Sequence, residues 1–578
     1  MVTALTMRVD WARARGLRSR RLGLLLLALG VGVGAGLGAV AFRYMIEGLT
    51  HLFTGFSDYA GHPGAANPQL PALGRFFVVL TPVVAGLVYG PLVQRFAREA
   101  RGHGVPEVMV AVARHGGRIR PQVALVKAVA SALCIGGGGS VGREGPIVQI
   151  GSALGSTLGQ SFKLDERRVT LLVACGAAGG ISATFNAPLA GVFFAMELIL
   201  RQWAAESFGM VVLSSVTASV IGRGVLGDSP FLVLPAFHVD HLAQYPLFAL
   251  LGVLAGLVGV GFSRVLYAVE DACDWAWRGP EWLRPATGGL LLGLVLLVLP
   301  QMYGVGYPVL GRAVDGGYGI AFLLVLLVGK LVACSLTIGI GGSGGVFAPS
   351  LFVGAMAGAA FGEVVHSVAP TSGGSVGAYA LIGMGAVFAG AARAPITAVV
   401  ILFELTGEYS IILPLMLAIV LATGISQVVS RDTVYTRKLL RRGIDIDEPA
   451  DAAVRRRPAA PFVTPAPAPL RVDDTLEAAA ARFAAGTDAE LPVVEADGRL
   501  HGTVTATDVV RALSAGDDTR VGALASPADP VPDTATVGDV LTALGHARSV
   551  VPVADASGAV VGWVRERDLL GTTGLGRG

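Results

Sequence analysis

The chain has 578 residues, of which 53% are hydrophobic and only 15% charged, and its mean hydropathy is +0.65. A soluble domain carries about a quarter charged residues, so this composition excludes a soluble globular protein and places most of the chain in lipid. The formal net charge of +3 is small for the length and gives no reason to invoke a nucleic-acid partner.

At the N-terminus Arg8, Arg13, Arg15, Arg18, Arg20 and Arg21 precede the first apolar run, residues 22–41. Residues 7–21 read as a basic helix lying on the membrane surface. No small-residue cleavage site follows before Phe42-Arg43-Tyr44, so the run is expected to be a retained span and not a signal peptide. Further spanning candidates cover residues 247–262, 288–299 and 321–332, whereas many other apolar runs stop at Gly or Pro well short of a full span, as half-helices do. The last apolar run is followed by Arg431, Arg437, Lys438, Arg441 and Arg442. Basic flanks at both ends predict two cytoplasmic termini on a protein of the inner or plasma membrane. Cys134, Cys175, Cys273 and Cys334 stand singly, without the spacing of a metal site or a disulfide framework, and read as small core residues.

Three glycine-rich turns interrupt the apolar sequence: Gly102-His103-Gly104-Val105-Pro106-Glu107, Gly142-Arg143-Glu144-Gly145-Pro146 and Gly344-Gly345-Val346-Phe347-Ala348-Pro349. At membrane depth such backbone is tolerated only where it is buried in protein or lines a wet cavity. In each turn Pro sits where a helix would begin, leaving free N–H groups and the positive end of the helix dipole to attract anions. Several such helix starts converging near the bilayer midplane would replace a halide's hydration shell with partial charges, whereas full charges would hold the ion too tightly for release.

The membrane region is duplicated. Residues 146–151 and 349–354 align with a shift of 203, which also brings Gly155 onto Gly358 and Gly159 onto Gly362. A second block, 187–198 against 394–405, aligns with a shift of 207 and superposes Glu197 on Glu404. In a membrane chain, matched interruptions of this kind point to a midplane ion site between repeats. Glu144, a carboxylate carried into that region, is a functional suspect by default. Its plain alternative is a glutamate paired with Arg143.

The GxGxP, GxEGP and GGxFAP turns, in that order, closely resemble the CLC family of chloride channels and chloride/proton exchangers over residues 20–442. The resemblance implies an all-α polytopic fold of two inverted repeats, about 22–225 and 243–442, in a homodimer with one pore per subunit. Carried over position by position, His103, Gly104, Arg143, Gly145, Val346, Phe347 and Tyr435 would form the anion sites, and Glu144 would be the gate. A carboxylate in an anion site blocks it by mimicking the anion, and protonation or an outward swing releases it. Glu197 and Glu404 are expected to cap backbone N–H groups.

Two departures from the family pattern bear on function. Many members have GSGIP at the first turn, where the serine hydroxyl and a tyrosine hydroxyl from the last membrane helix hold the central chloride. Tyr435 is retained, but His103 replaces the serine, so selectivity is not copied from those members. An imidazole still donates a hydrogen bond, and if protonated it adds a charge that makes anion affinity pH-dependent; the alternative is a ring turned aside onto a neighbouring carbonyl. Many proton-coupled members also carry a second glutamate after the position of Glu197. Here it is Leu198, which relays no proton, and this favours passive, pH- and voltage-sensitive chloride conduction over proton-coupled exchange, with His103, Glu206 or water as the remaining routes.

Beyond residue 442 the composition changes to Arg455-Arg456-Arg457 and a run of prolines, a linker over 443–461 into a soluble region. That region repeats itself with a shift of 60: Leu491-Pro492-Val493-Val494, Gly502 and Asp508 recur as Val551-Pro552-Val553-Ala554, Gly562 and Asp568. It resembles a pair of CBS domains, 462–515 and 520–573, giving an α/β module after the helical one. The CBS resemblance implies an adenosine nucleotide in the cleft, with Thr505 and Asp508 in the first unit and Arg565 and Asp568 in the second as contacts. The other reading, in which both aspartates only cap helices, stays open. No cofactor is required otherwise, and no metal site is expected. An intramembrane zinc protease needs His-Glu-x-x-His, and Gly362-Glu363-Val364-Val365-His366 lacks the first histidine. A divalent-cation transporter lacks convergent carboxylates. The chain therefore reads as a transporter of small anions and not as an enzyme.

Overall fold

The computed structural model describes residues 21–227, 242–368, 374–446, 452–486, 488–544, 550–555 and 560–573. The surface helix expected over 7–21 lies, apart from its last residue, outside them. Two compact units divide at Ile446 and Asp447, and each is described by itself.

The first unit is helical. Among the described residues eight helices are long and apolar enough to cross a membrane, and five shorter apolar helices of 10–17 residues accompany them. The mixture follows from the sequence, since a full crossing needs about 20 apolar residues and Gly or Pro cuts many runs short. The shorter members include Gln122–Gly136, Arg284–Val298, Val376–Ala392 and Pro395–Thr406. Exposed leucines and valines, among them Leu22, Leu37, Leu290, Leu324 and Val420, cover the outside of this unit. In a soluble protein such a surface would be untenable; against lipid tails it is the stable arrangement.

Without a hydrophobic drive between helices in lipid, close packing rests on small residues. Helix Glu144–Ser161 meets Glu166–Phe185 where Gly151 and Gly176 touch backbone to backbone, and Phe347–Val368 meets Val376–Ala392 in the same way at Gly354 and Gly383. A side chain at any of these four positions would strike the facing carbonyl. The same helix pair is thus built once in each half of the unit.

The second unit holds two three-stranded sheets of identical plan. β1 (Leu470–Arg471) runs parallel to β2 (Glu490–Val494), which pairs antiparallel with β3 (Leu500–Thr505). β4 (Val531–Pro532), β5 (Val550–Ala554) and β6 (Val560–Arg565) repeat the pattern. Pro492 faces Thr503 in the first sheet and Pro552 faces Trp563 in the second, so the repeated Pro occupies the same place in each ladder. Each sheet has its own core, Leu476, Val493, Val504 and Val509 in one and Val537, Val553, Val564 and Leu569 in the other.

Candidate ion site at the junction of broken helices

The three glycine turns meet. Gly142 and Gly345 exchange backbone hydrogen bonds, Gly142 N donating to Gly345 O at 2.8 Å and Gly345 N to Gly142 O at 2.6 Å. Gly102 N donates to Gly342 O at 3.0 Å, and Gly344 N to Gly102 O at 3.3 Å. The first and second turns therefore both hang on the third. They also touch each other, because Gly104, at φ 84°, sits where a Cβ would lie 2.6 Å from Gly145 O, and a Cβ on Gly145 would run into the carbonyl of His103. Val346 and Phe347 are buried at the start of helix Phe347–Val368, where a helix leaves its first N–H groups without intrahelical partners.

Glu144 is the first residue of helix Glu144–Ser161 and only 1% exposed. Its Oε1 accepts a 2.6 Å hydrogen bond from the Tyr307 hydroxyl. Its Oε2 lies beside Gly142 and Ala348, with no hydrogen bond of ordinary geometry. The carboxylate thus rests at the junction of the second and third turns. Arg143 is not its ion-pair partner: its guanidinium stacks over the Tyr307 ring at 5.2 Å, and Nη2 donates to Thr184 O at 3.4 Å. Beside Arg143 and Tyr307 a cavity of about 300 Å³ is lined also by Arg43, Glu47, Asp58 and Asn186, among others.

Tyr307 belongs to a fourth turn that the sequence reading passes over. Gly304-Val305-Gly306-Tyr307-Pro308 repeats Gly102-His103-Gly104-Val105-Pro106 with a shift of 202. Gly306, at φ 91°, precedes helix Tyr307–Val314 as Gly104 precedes Val105–Arg114. A buried lysine holds each turn. Lys127 Nζ donates to Ala100 O at 2.9 Å and Gly102 O at 2.7 Å; Lys330 Nζ donates to Gly304 O at 3.1 Å, Val305 O at 2.8 Å and Ser140 Oγ at 2.9 Å. The two lysines are themselves 203 residues apart, a match that could have revealed the fourth turn.

His103 is wholly buried, and neither ring nitrogen has a hydrogen-bond partner, so the ring is not turned onto a carbonyl. It lies 6.1 Å, centroid to centroid, from Tyr267, whose hydroxyl donates to Val434 O at 2.7 Å. The next residue, Tyr435, is 1% exposed. Glu197 and Glu404 instead accept hydrogen bonds from the starts of helices Pro395–Thr406 and Pro188–Phe194. Leu198 is buried in the π-helical turn Ala195–Leu200.

In the second unit Thr505 and Asp508 lie at the start of helix Ala506–Ser514, and Arg565 and Asp568 at the end of β6 and the start of helix Glu566–Thr573. Thr505 is the N-cap of helix Ala506–Ser514: its Oγ1 accepts from Asp508 N at 3.2 Å and donates to Asp508 Oδ2 at 2.6 Å. Both side chains are thereby engaged in capping. Arg565 pairs with Asp488 at 2.6 Å and lines a cavity of about 260 Å³ with Trp563, Glu566 and Arg567, and Asp568 lies near Arg567 at 3.8 Å.

Broken helices whose N-termini converge around a buried carboxylate, inside a shell of apolar helices, define a membrane transport protein. The chain belongs to the CLC family: residues 85–427 match the model described as voltage gated chloride channel, and 459–515 match the CBS domain. It is 36% identical over 375 residues to the H(+)/Cl(-) exchange transporter ClcA of Vibrio parahaemolyticus, covering 63% of this chain and 79% of that one. It is 32% identical over 374 residues to a putative chloride channel protein ClcB-like of Ralstonia nicotianae, covering 64% and 86%. Among solved structures, a slow cyanobacterial Cl-/H+ antiporter superposes with a TM-score of 0.64 at 27% identity, over 73% of this chain and 98% of that one. A eukaryotic CLC transporter shares the fold over 96% of this chain and 98% of its own, with a TM-score of 0.63 at 22% identity. The helical membrane fold and its α/β C-terminal region are those the sequence reading expects.

Proposed function

We propose that the chain is a proton-coupled chloride exchanger of the inner or plasma membrane, with Glu144 as the gate. The observation that carries this reading is the Glu144 carboxylate at the junction of the second and third turns, where it stands in for a bound anion. Deprotonated, it blocks that position. Protonated, it loses its charge and with it the attraction to the positive helix starts, leaves, and an anion takes its place. One group then handles proton and anion alternately. The names borne by the Vibrio relative and the cyanobacterial neighbour support exchange over the passive conduction that the sequence reading favours.

Val346, Phe347, Gly104 and Gly145 supply the anion's backbone surroundings in this reading, with His103 and Tyr435 on its inner flank and Arg143 at the outer entrance. A homodimer with one pore per subunit and cytoplasmic termini complete it. An adenosine nucleotide at the CBS pair would use the Arg565 cavity, with the guanidinium meeting phosphate beside Trp563.

One observation favours a passive channel instead, namely Leu198 beside Glu197, where it carries no proton. Purified protein in liposomes, with chloride and proton movement recorded together, separates the two. An imposed chloride gradient that drives protons uphill supports exchange, and chloride flux without proton movement sinks it.

A further inference from the structure

A proton-coupled exchanger, the reading on which the role of His103 rests, must bring protons to Glu144 from the inner side, and position 198 supplies no titratable group for it. Glu197 is committed to the N–H groups of Ile396 and Thr397. His103 is placed for the task. It is wholly buried, both ring nitrogens lack partners, and its carbonyl rests against Gly145, the residue after the gate. A buried polar group without a hydrogen bond is costly and calls for an explanation.

The charged groups around the ring sharpen that explanation. From helix Gln122–Gly136 comes Lys127, which bonds Gly102 O, and from Thr436–Leu440 comes Lys438, whose Nζ lies against Gly102. Tyr267 faces the ring from helix Tyr245–Ala276, with the guanidinium groups of Arg437 and Arg441 stacked on it at 5.9 and 5.2 Å. The nearest acids are engaged: Glu107, on the helix after His103, pairs with Arg442 at 2.8 Å, and Glu270 lies 3.9 Å from Arg441. Across the turn stand Gly145 and Glu144 itself. Two ammonium groups repel a third cation, and an anion beside the ring cancels that repulsion.

We infer that His103 is the inner proton-relay site, and that its imidazole takes up a proton together with an anion bound beside it. A hydronium ion arriving from the inner side gives a proton to a free ring nitrogen; an N–H bond forms, an O–H bond breaks, and water is left. That proton then passes to a Glu144 carboxylate oxygen, where an O–H bond forms as the imidazole returns to neutrality. Glu144 later releases it to water outside. No electron changes hands. Because each ligand favours the other, chloride raises proton occupancy by the same factor that protons raise chloride occupancy.

The test uses the full chain in liposomes, comparing wild type with His103→Ser, the residue many relatives carry there. The ratio of protons to chloride moved should fall by about a hundredfold or more, the contribution of a positioned acid–base group. A second measurement, chloride binding by calorimetry, is made in Glu144→Gln protein, so that the gate's own titration is absent. There, affinity should weaken as pH rises, and it should not do so once His103→Ser is added. An unchanged coupling ratio in His103→Ser, or equal pH dependence in the two binding series, overturns the relay. A wild-type protein that moves no protons overturns the exchanger reading, and the relay with it.

Discussion

Glu197 and Glu404, occupying matched positions in the two repeats, cap each other's half of the molecule. Glu197 accepts from Ile396 N at 3.2 Å, Thr397 N at 2.8 Å and Thr397 Oγ1 at 2.7 Å, while Glu404 accepts from Leu189 N at 2.9 Å and Ala190 N at 2.6 Å. Each carboxylate meets the positive end of a helix dipole with N–H groups that have no other acceptor within the helix. Replacing either by Ala should destabilise the protein by about 1–2 kcal/mol, the usual loss for a helix cap. Replacement by Gln, which keeps an acceptor oxygen, should do less damage. Thermal unfolding in detergent checks the order; equal midpoints for Ala and wild type would refute it.

Glu144→Gln should leave chloride flux intact or raised and remove the part of its pH dependence that comes from opening the gate, because a neutral amide neither mimics the anion nor titrates; only the part carried by His103 should remain. The measurement is chloride efflux from liposomes across a pH series. A mutant retaining the wild-type pH profile would remove Glu144 from the gate.

Tyr307→Phe should loosen the gate. The 2.6 Å bond from its hydroxyl holds the carboxylate at its resting place, and a hydrogen bond to a charged group contributes about 1.5–3 kcal/mol. Chloride flux at neutral pH should therefore rise by about tenfold, the equivalent of about 1.4 kcal/mol. In the Glu144→Gln background the same change should have little effect. Comparable increases in both backgrounds would mean that Tyr307 acts elsewhere.

Lys330→Met should destabilise the unit, since the carbonyls of Gly304 and Val305 lose their donor in a buried place, and Lys127→Met should do so less, since Ala100 O keeps Ser343 Oγ and Gly102 O keeps Gly344 N. Orphaning a buried acceptor costs about 1–3 kcal/mol. The fraction of monodisperse protein after mild heating is the readout, and no change in either variant would refute the assignment.

Much of the site is legible in the sequence because its punctuation is chemical. Gly102, Gly142 and Gly344 each open a break in apolar sequence and precede a Pro, and Glu144 adds a charge where none belongs. The fourth turn is harder to see because Val305 and Tyr307 bear no charge and share only Gly-x-Gly-x-Pro with the first. Tyr307 also lies 163 residues from Glu144, a separation over which no local pattern operates. In the second unit the three-residue spacing of Thr505 and Asp508 suits a ligand and a helix cap equally, and only coordinates reveal the capping hydrogen bonds. His103 stands out in the sequence as a departure from serine, but that its ring nitrogens lack hydrogen-bond partners is visible only once the neighbours are packed.

The exchanged caps also bear on biogenesis. Glu404 lies 215 residues beyond Leu189 in the chain, so the first half leaves the ribosome with one helix start still uncovered. It must wait, in lipid or against a chaperone, until its twin has been inserted, and expressing either half alone should yield a protein unable to finish assembling.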